Sequence, residues 1–245
     1  MAVANNNGWT PLNSASTNGH VEVVKLFLEK GTDVNCLGGR YGSFLNTLAF
    51  MGFTELLRLA YKQYYASQQL QDSHRRTALH LAARGGHLDA FNYLLNLGLN
   101  PAAKDRRGAG IFHYASSGGS VELLKSIISR DLIPPSHDKQ WSPLHWACRT
   151  GNRDVIELLT KEGVHSVCMT TLQPNRSWSP LSIALFHGNG KMVEQLPSSF
   201  RSLLNPGDEA YRESHRDVVS LSGSRHGSYW CNGCDHVSYY IARSG

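Results

Sequence analysis

The sequence predicts an all-α solenoid of stacked helix-turn-helix units followed by a flexible C-terminal tail, and three observations predict it. First, one word recurs: GWTPLNSASTNGHVEVVKLFLEKG from Gly8, RTALHLAARGGHLDAFNYLLNLG from Arg76 and WSPLHWACRTGNRDVIELLTKEG from Trp141. Second, weaker copies keep the same register. Anchored on a small residue near the start of each copy, the word occurs at Thr10, Ser43, Thr77, Gly110, Ser142 and Ser179, with spacings of 33, 34, 33, 32 and 37 residues. Third, a glycine stands nine residues after every anchor, from Gly19 to Gly188. A fixed period of this length describes units that cannot bury an apolar face alone and must stack on their neighbours.

Within each unit the elements follow in order. The anchor hydroxyl suits a helix N-cap, and proline is tolerated in the first helical turn, as in Thr10-Pro11, Ser142-Pro143 and Ser179-Pro180. The glycine nine residues on permits the positive φ needed to turn sharply between two helices. A second apolar-periodic stretch follows, for example Val21, Val24, Phe27 and Leu28, or Val155, Ile156, Leu158 and Leu159. Gly31, Gly98 and Gly163 then end second helices ahead of a polar loop.

The second unit, SFLNTLAFMGFTELLRLAYKQYY, lacks the proline and histidine of the strong copies but keeps the anchor, the leucine two residues later and the turn glycine. The fourth, GIFHYASSGGSVELLKSIISRD, keeps Phe112, His113, Ala115 and Gly119. The sixth follows an insertion through VHSVCMTTLQPNRSW and is a short, imperfect cap ending near Pro197.

The period, with strong copies that approach T-P-L-H-x-A, resembles ankyrin repeats from Gly8 to about Leu196. The resemblance implies a repeat domain over residues 1–197, with units at about 8–40, 41–73, 74–106, 107–138, 139–172 and 176–197. It also implies that His80, His113 and His145, each three residues after an anchor, are hydrogen-bonding braces between structural units. Residues 198–245 are rich in Ser, Arg and acidic side chains and read as a linker and disordered tail.

Composition narrows the function classes. The chain has 245 residues and a formal charge of +5, and no apolar run approaches the roughly 18 residues of a membrane span. MAVANNNGWT carries no secretory signal, so the expectation is a cytoplasmic or nuclear protein. The best local support for nucleic acid is AAKDRRG, with Lys104, Arg106 and Arg107; Asp105 interrupts it, and solvated loop charge is the favoured reading. No phosphate-cradling loop, nucleophile elbow or H-E-x-x-H is present, so the expectation is a protein that is not an enzyme. Cys148, within a first helix, reads as a buried thiol.

One metal-like spacing lies in the tail. Cys231 and Cys234 form a C-x-x-C flanked by His226 and His236, nominally enough ligands for one tetrahedral zinc. RHGSYWCNGCDH resembles the opening of a ZZ-type zinc finger, which implies further cysteine pairs that do not follow in this sequence. The expectation is no bound cofactor and an incomplete finger, with a zinc-binding finger that recruits a second partner as the alternative.

By resemblance the function is protein binding, as a scaffold or adaptor, through the concave surface made by first helices and loop tips. A further alternative is the targeting part of a longer multidomain protein. The candidate contacts are residues just before the anchors: Trp9, Arg40, Tyr41, Arg75, Arg76, Arg107, Gln140, Trp141, Arg176 and Trp178. Their aromatics are suited either to anchoring a partner or to packing on the neighbouring loop.

Overall fold

The computed structural model describes residues 9–132 and 142–162, with Pro180, Ile183, Ala184 and residues 187–189. Ten helices are formed among the described residues, two per unit. The first unit contributes α1 (Pro11–Thr17) and α2 (Val21–Glu29), the second α3 (Phe44–Met51) and α4 (Thr54–Gln63), and the third α5 (Ala78–Gly85) and α6 (Leu88–Asn96). The fourth contributes α7 (Ile111–Gly118) and α8 (Val121–Ser129), and the fifth α9 (Pro143–Thr150) and α10 (Arg153–Lys161). The architecture is an all-α repeat solenoid; the one β-bridge among the described residues, between Leu37 and Ser43, closes a loop.

Each first helix starts where a polar anchor meets the third residue after it, and two chemistries accomplish this. In the first two units the anchor hydroxyl caps the helix: Asn13 N–H donates to Thr10 Oγ1 (3.1 Å) and Asn46 N–H to Ser43 Oγ (3.0 Å). In the next three a histidine reaches back. Nδ1 of His80, His113 and His145 accepts from the N–H of Thr77 (3.2 Å), Gly110 (3.3 Å) and Ser142 (3.1 Å). Gly110 has no side chain to cap with, so the histidine bond explains how a glycine is tolerated at an N-cap. Pro11 and Pro143 occupy the first helical position, where no N–H bond is lost.

The anchor-plus-two positions Leu12, Leu45, Leu79, Phe112 and Leu144 are buried and form the core column of the first helices. Leu57, Phe91, Leu124 and Ile156 are the buried counterparts on the second helices. Full burial of such side chains contributes about 1.5–3 kcal/mol each, which no single unit obtains without a neighbour.

First helices form one row and second helices another, and the first-helix row packs more closely, above all α3 on α5 and α5 on α7. Gly85 and Gly118, each eight residues after its anchor, make this possible. A Cβ on Gly85 would run into the Phe50 carbonyl oxygen, and one on Gly118 into that of Arg84. In the second unit the matching residue is Met51, and α1 lies less closely against α3. Packing is thus tightest in the layer of first helices.

A second brace ties the fifth and sixth units to their predecessors. Asn152 Nδ2 donates to Ser116 O (3.4 Å) and Ser117 O (3.1 Å), and Asn189 Nδ2 donates to Cys148 O and Arg149 O (both 3.0 Å). Both asparagines satisfy carbonyls at the C-terminal end of the preceding first helix, which have no partner inside that helix. With Ile183 and Ala184 buried, the Asn189 contacts fix the start of the sixth unit against the fifth.

Candidate functional site

The loops that precede α5 and α7 are organised by two buried aspartates 33 residues apart. Asp72 Oδ1 accepts from His74 N–H (2.9 Å) and Arg76 N–H (2.8 Å); Asp105 Oδ1 accepts from Arg107 N–H and Ala109 N–H (both 2.8 Å). Adjacent loops are joined by Arg106 N–H donating to His74 O (2.8 Å). Asp105, read from sequence only as an interruption in a basic run, is therefore what gives that loop its shape.

The sequence-predicted contacts fall into three groups. Arg40, Arg75 and Arg107 are exposed at the loop tips, and Trp9 is half-buried. Arg75 holds a left-handed conformation, φ 62°, that a non-glycine residue adopts at a cost of about 1–2 kcal/mol. Tyr41 and Arg76 are committed to the interior. Tyr41 is 8% exposed and stacked on Phe50 at 4.2 Å between ring centroids, with the Arg40 guanidinium over its ring at 5.7 Å. Arg76 Nε lies 2.7 Å from Asp72 Oδ2 in an ion pair whose carboxylate is fully buried. Gln140, Trp141, Arg176 and Trp178 lie outside the described residues, as do His226, Cys231, Cys234 and His236. Among the described residues no three His, Cys, Asp or Glu side chains converge as a metal site.

The structure adds a set of residues that the reading of the loops does not reach. Tyr114 and Trp146 stand four residues after their anchors, Phe50, Arg84 and Arg149 seven, and all lie on first helices. Together they make a ladder of rings and guanidinium groups. His80 meets Tyr114 edge-on at 5.2 Å, Tyr114 meets Trp146 at 5.3 Å, and His113 meets Trp146 edge-on at 6.0 Å. Tyr114 donates its hydroxyl to Asp105 Oδ2 (2.9 Å), tying the ladder to the loop beneath. Burial and the adjacent Asp105 carboxylate push the phenol pKa far up, so Tyr114 stays a neutral donor.

His80 shows how the brace works. Its Nε2 lies 3.0 Å from Ala103 O, and a carbonyl only accepts, so the ring proton is on Nε2 and Nδ1 is free to accept from Thr77. Burial lowers its pKa, outweighing the attraction of Asp105. His187 is pushed down to about 4, by burial and by the Arg149 charge. The Cys148 thiol is buried and its pKa pushed up, which leaves it unreactive.

Arg84 lies half-buried in the last turn of α5. Burial lowers its pKa; the tyrosines Tyr114 and Tyr41 oppose this, and the nearby cations Arg76 and Arg149 add to it. The face therefore concentrates positive charge around a guanidinium that is itself half-buried.

A stack of helix-turn-helix units with a closely packed row of first helices and polar loop tips defines a repeat scaffold, a class built to present surface. Comparison with known families gives its kind. Ankyrin repeat models match residues 7–38, 79–128 and 112–202, and the chain belongs to the ankyrin repeat proteins. Such repeats are generally non-catalytic modules that bind other proteins. Over 191 residues, 74% of the chain, it is 27% identical to the human transient receptor potential cation channel subfamily A member 1. It is 26% identical over 184 residues, also 74% of the chain, to the Bos taurus ankyrin repeat and SOCS box protein 3. The human SH3 and multiple ankyrin repeat domains protein 1 is 32% identical over 139 residues, 55% of the chain. The matches span only 16%, 28% and 6% of those relatives respectively. No helix among the described residues is long and apolar enough to cross a membrane.

Proposed function

We propose that the chain is a non-catalytic interaction scaffold or adaptor, cytoplasmic or nuclear, whose protein partner seats on the concave first-helix face and the loop tips. The observation that carries this reading is the row of half-buried Phe50, Arg84, Trp146 and Arg149 on the first helices, flanked by the exposed guanidinium groups of Arg40, Arg75 and Arg107. Aromatic rings and arginines are the side chains that most often dominate binding energy at protein interfaces. Trp9, Gln140, Trp141, Arg176 and Trp178 would extend the same contact set along the loops. Because the chain covers a small part of its relatives, a second reading is that these repeats are the targeting arm of a larger protein.

Site-specific photocrosslinking tests the face. A crosslinking amino acid in place of Arg107 or Arg40 is expected to capture a partner in cells, and one in place of Lys62, exposed on α4 in the second-helix row, is not. Capture from position 62 alone would move the interface to the opposite side.

A further inference from the structure

We infer that the adjoining loop tips 72–76 and 105–109 form an arginine edge, Arg75 and Arg106 with Arg107 beside them, that takes the carboxylates of an acidic segment of the partner protein. The inference rests on the loop tips being part of the interaction surface, and it gives that surface its chemistry. The two loops repeat one hydrogen-bonding pattern 33 residues apart. In each, the aspartate N–H donates to the carbonyl four residues on: Asp72 to Arg76 O (3.0 Å) and Asp105 to Ala109 O (2.9 Å). Its own carbonyl accepts from the N–H three residues on, that of Arg75 (2.8 Å) or Gly108 (3.0 Å). That third position is left-handed in both loops. Gly108 takes it at φ 82° with no Cβ to crowd the backbone, whereas the preceding loop places Arg75 there, at φ 62°. What the arginine adds over glycine is an exposed guanidinium at the tip, held at the cost of backbone strain.

The same loops turn their own acids inward. Asp72 and Asp105 are the only acids in residues 64–76 and 97–109, and both are buried. Asp72 Oδ2 pairs with Arg76 Nε (2.7 Å), and Asp105 Oδ2 accepts from the Tyr114 hydroxyl (2.9 Å). Arg75, Arg106 and Arg107 are exposed, and the bond from Arg106 N–H to His74 O (2.8 Å) holds Arg106 against the residue next to Arg75. Like charges brought together on a surface favour an anionic occupant. A phosphate group fits less well, because phosphate-binding loops present free backbone N–H groups. Here the amides of residues 74–76 and 106–109 are already engaged, by Asp72, Asp105 and His74 O. Single-stranded nucleic acid would also need rings to stack its bases on, and neither 72–76 nor 105–109 holds a Phe, Tyr or Trp. Recognition is left to guanidinium groups spaced along an edge, which suits carboxylates spaced along an acidic peptide.

The test uses the full chain at low salt, with an oligoglutamate peptide, inorganic phosphate and poly(U) RNA as probes. Wild type is compared with Arg75→Gly, Arg75→Lys, Arg106→Gln and the remote control Arg130→Gln, which removes the same charge at the end of α8. Arg75→Gly and Arg106→Gln are each expected to weaken oligoglutamate binding about fivefold, the upper end for one exposed ion pair, Arg75→Lys less and Arg130→Gln not at all. Without peptide, Arg75→Gly is expected to melt at or above the wild-type temperature, because glycine accepts the left-handed conformation. The inference is overturned if Arg75→Gly melts well below wild type, which would make the arginine structural, or if it binds oligoglutamate like wild type. It is equally overturned if Arg130→Gln loses as much binding as Arg75→Gly, which would leave only net charge. Tighter, Arg75-dependent binding of poly(U) or phosphate than of oligoglutamate would overturn it as well. Crosslinking capture from position 107 that survives Arg75→Gly undiminished would leave the interaction face in place and remove only its preference for acid. No capture from position 107 or 40 would remove the face and the inference together.

Discussion

Units three to five and units one and two meet the same requirement, starting a first helix on a buried polar anchor, with side chains of different reach. His80 spans from Thr77 N–H to Ala103 O and packs its ring edge on Tyr114 of the next unit, so one residue joins its helix start, its own loop and its neighbour. The shorter Asn46 reaches only Tyr41 O, at 3.1 Å. Asn13 is fully buried with neither side-chain polar atom hydrogen-bonded, a loss of about 1–3 kcal/mol for each buried group left unmet. The first unit also exposes Val23 and Leu26 on α2, at 43% and 52%. The difference teaches that one repeat template gives unequal units: a histidine-braced block that mounts the Arg84, Tyr114 and Trp146 ladder, and a softer flank joined to it through α3.

Several substitutions would break or sharpen this contrast. The largest effect is expected from Gly118→Ala, which drives a methyl group into the Arg84 carbonyl where α7 and α5 meet; overpacking there should cost about 3 kcal/mol in denaturant melts. An unchanged midpoint would mean that close helix approach is not what holds the block together. His80→Asn comes next, giving the third unit the chemistry of the second. It should lose about 2 kcal/mol through the missing bond to Ala103 and the gap beside Tyr114.

Acid should act on the block through its histidines. The folded pKa values of His80 and His187 lie below the unfolded value of about 6.5, so folding favours the neutral rings. Their contribution is fully present above about pH 6.5 and is lost as the pH falls below it, for His187 down to about 4, because the unfolded chain then binds protons that the folded one refuses. A melting temperature that declines between pH 6.5 and 4.5 in wild type, and more gently in His187→Gln, is the expected result. Asn13→Ala should have the smallest net effect, within about 0.5 kcal/mol, because relieving two unmet polar atoms offsets the packing lost with them. A loss comparable to that of His80→Asn would show that the flank is braced after all.

The sequence made the periodic parts legible and the convergent parts not. Anchors, turn glycines and core leucines repeat at a fixed spacing, so counting alone located the helices; Gly86, for example, takes φ 76° at the turn where the register put it. Histidines at one register position were legible as hydrogen-bonding groups, but the bonds of His80 hold its own helix start and its own loop, and only its ring edge on Tyr114 reaches the next unit. The ladder stayed hidden because Arg84, Tyr114 and Trp146 share a face without sharing a residue type, and only the stacking of α5, α7 and α9 brings them together. Positions four and seven after each anchor, varied in type within otherwise regular helices, were the available signal. Tyr41 and Arg76 looked like contacts because loop residues are usually exposed; the stacked Phe50 and the buried Asp72 that claim them lie beyond what spacing conveys.

Residue-resolved amide hydrogen exchange under native conditions tests the unequal units most directly, by comparing the first-helix amides of α1 and α3 with those of α5, α7 and α9 in wild type and in His80→Asn. The histidine-braced block is predicted to exchange slowest, and His80→Asn to bring α5 down toward the protection of α3. Uniform protection along all five helices, or protection of α5 that survives His80→Asn, would contradict the account.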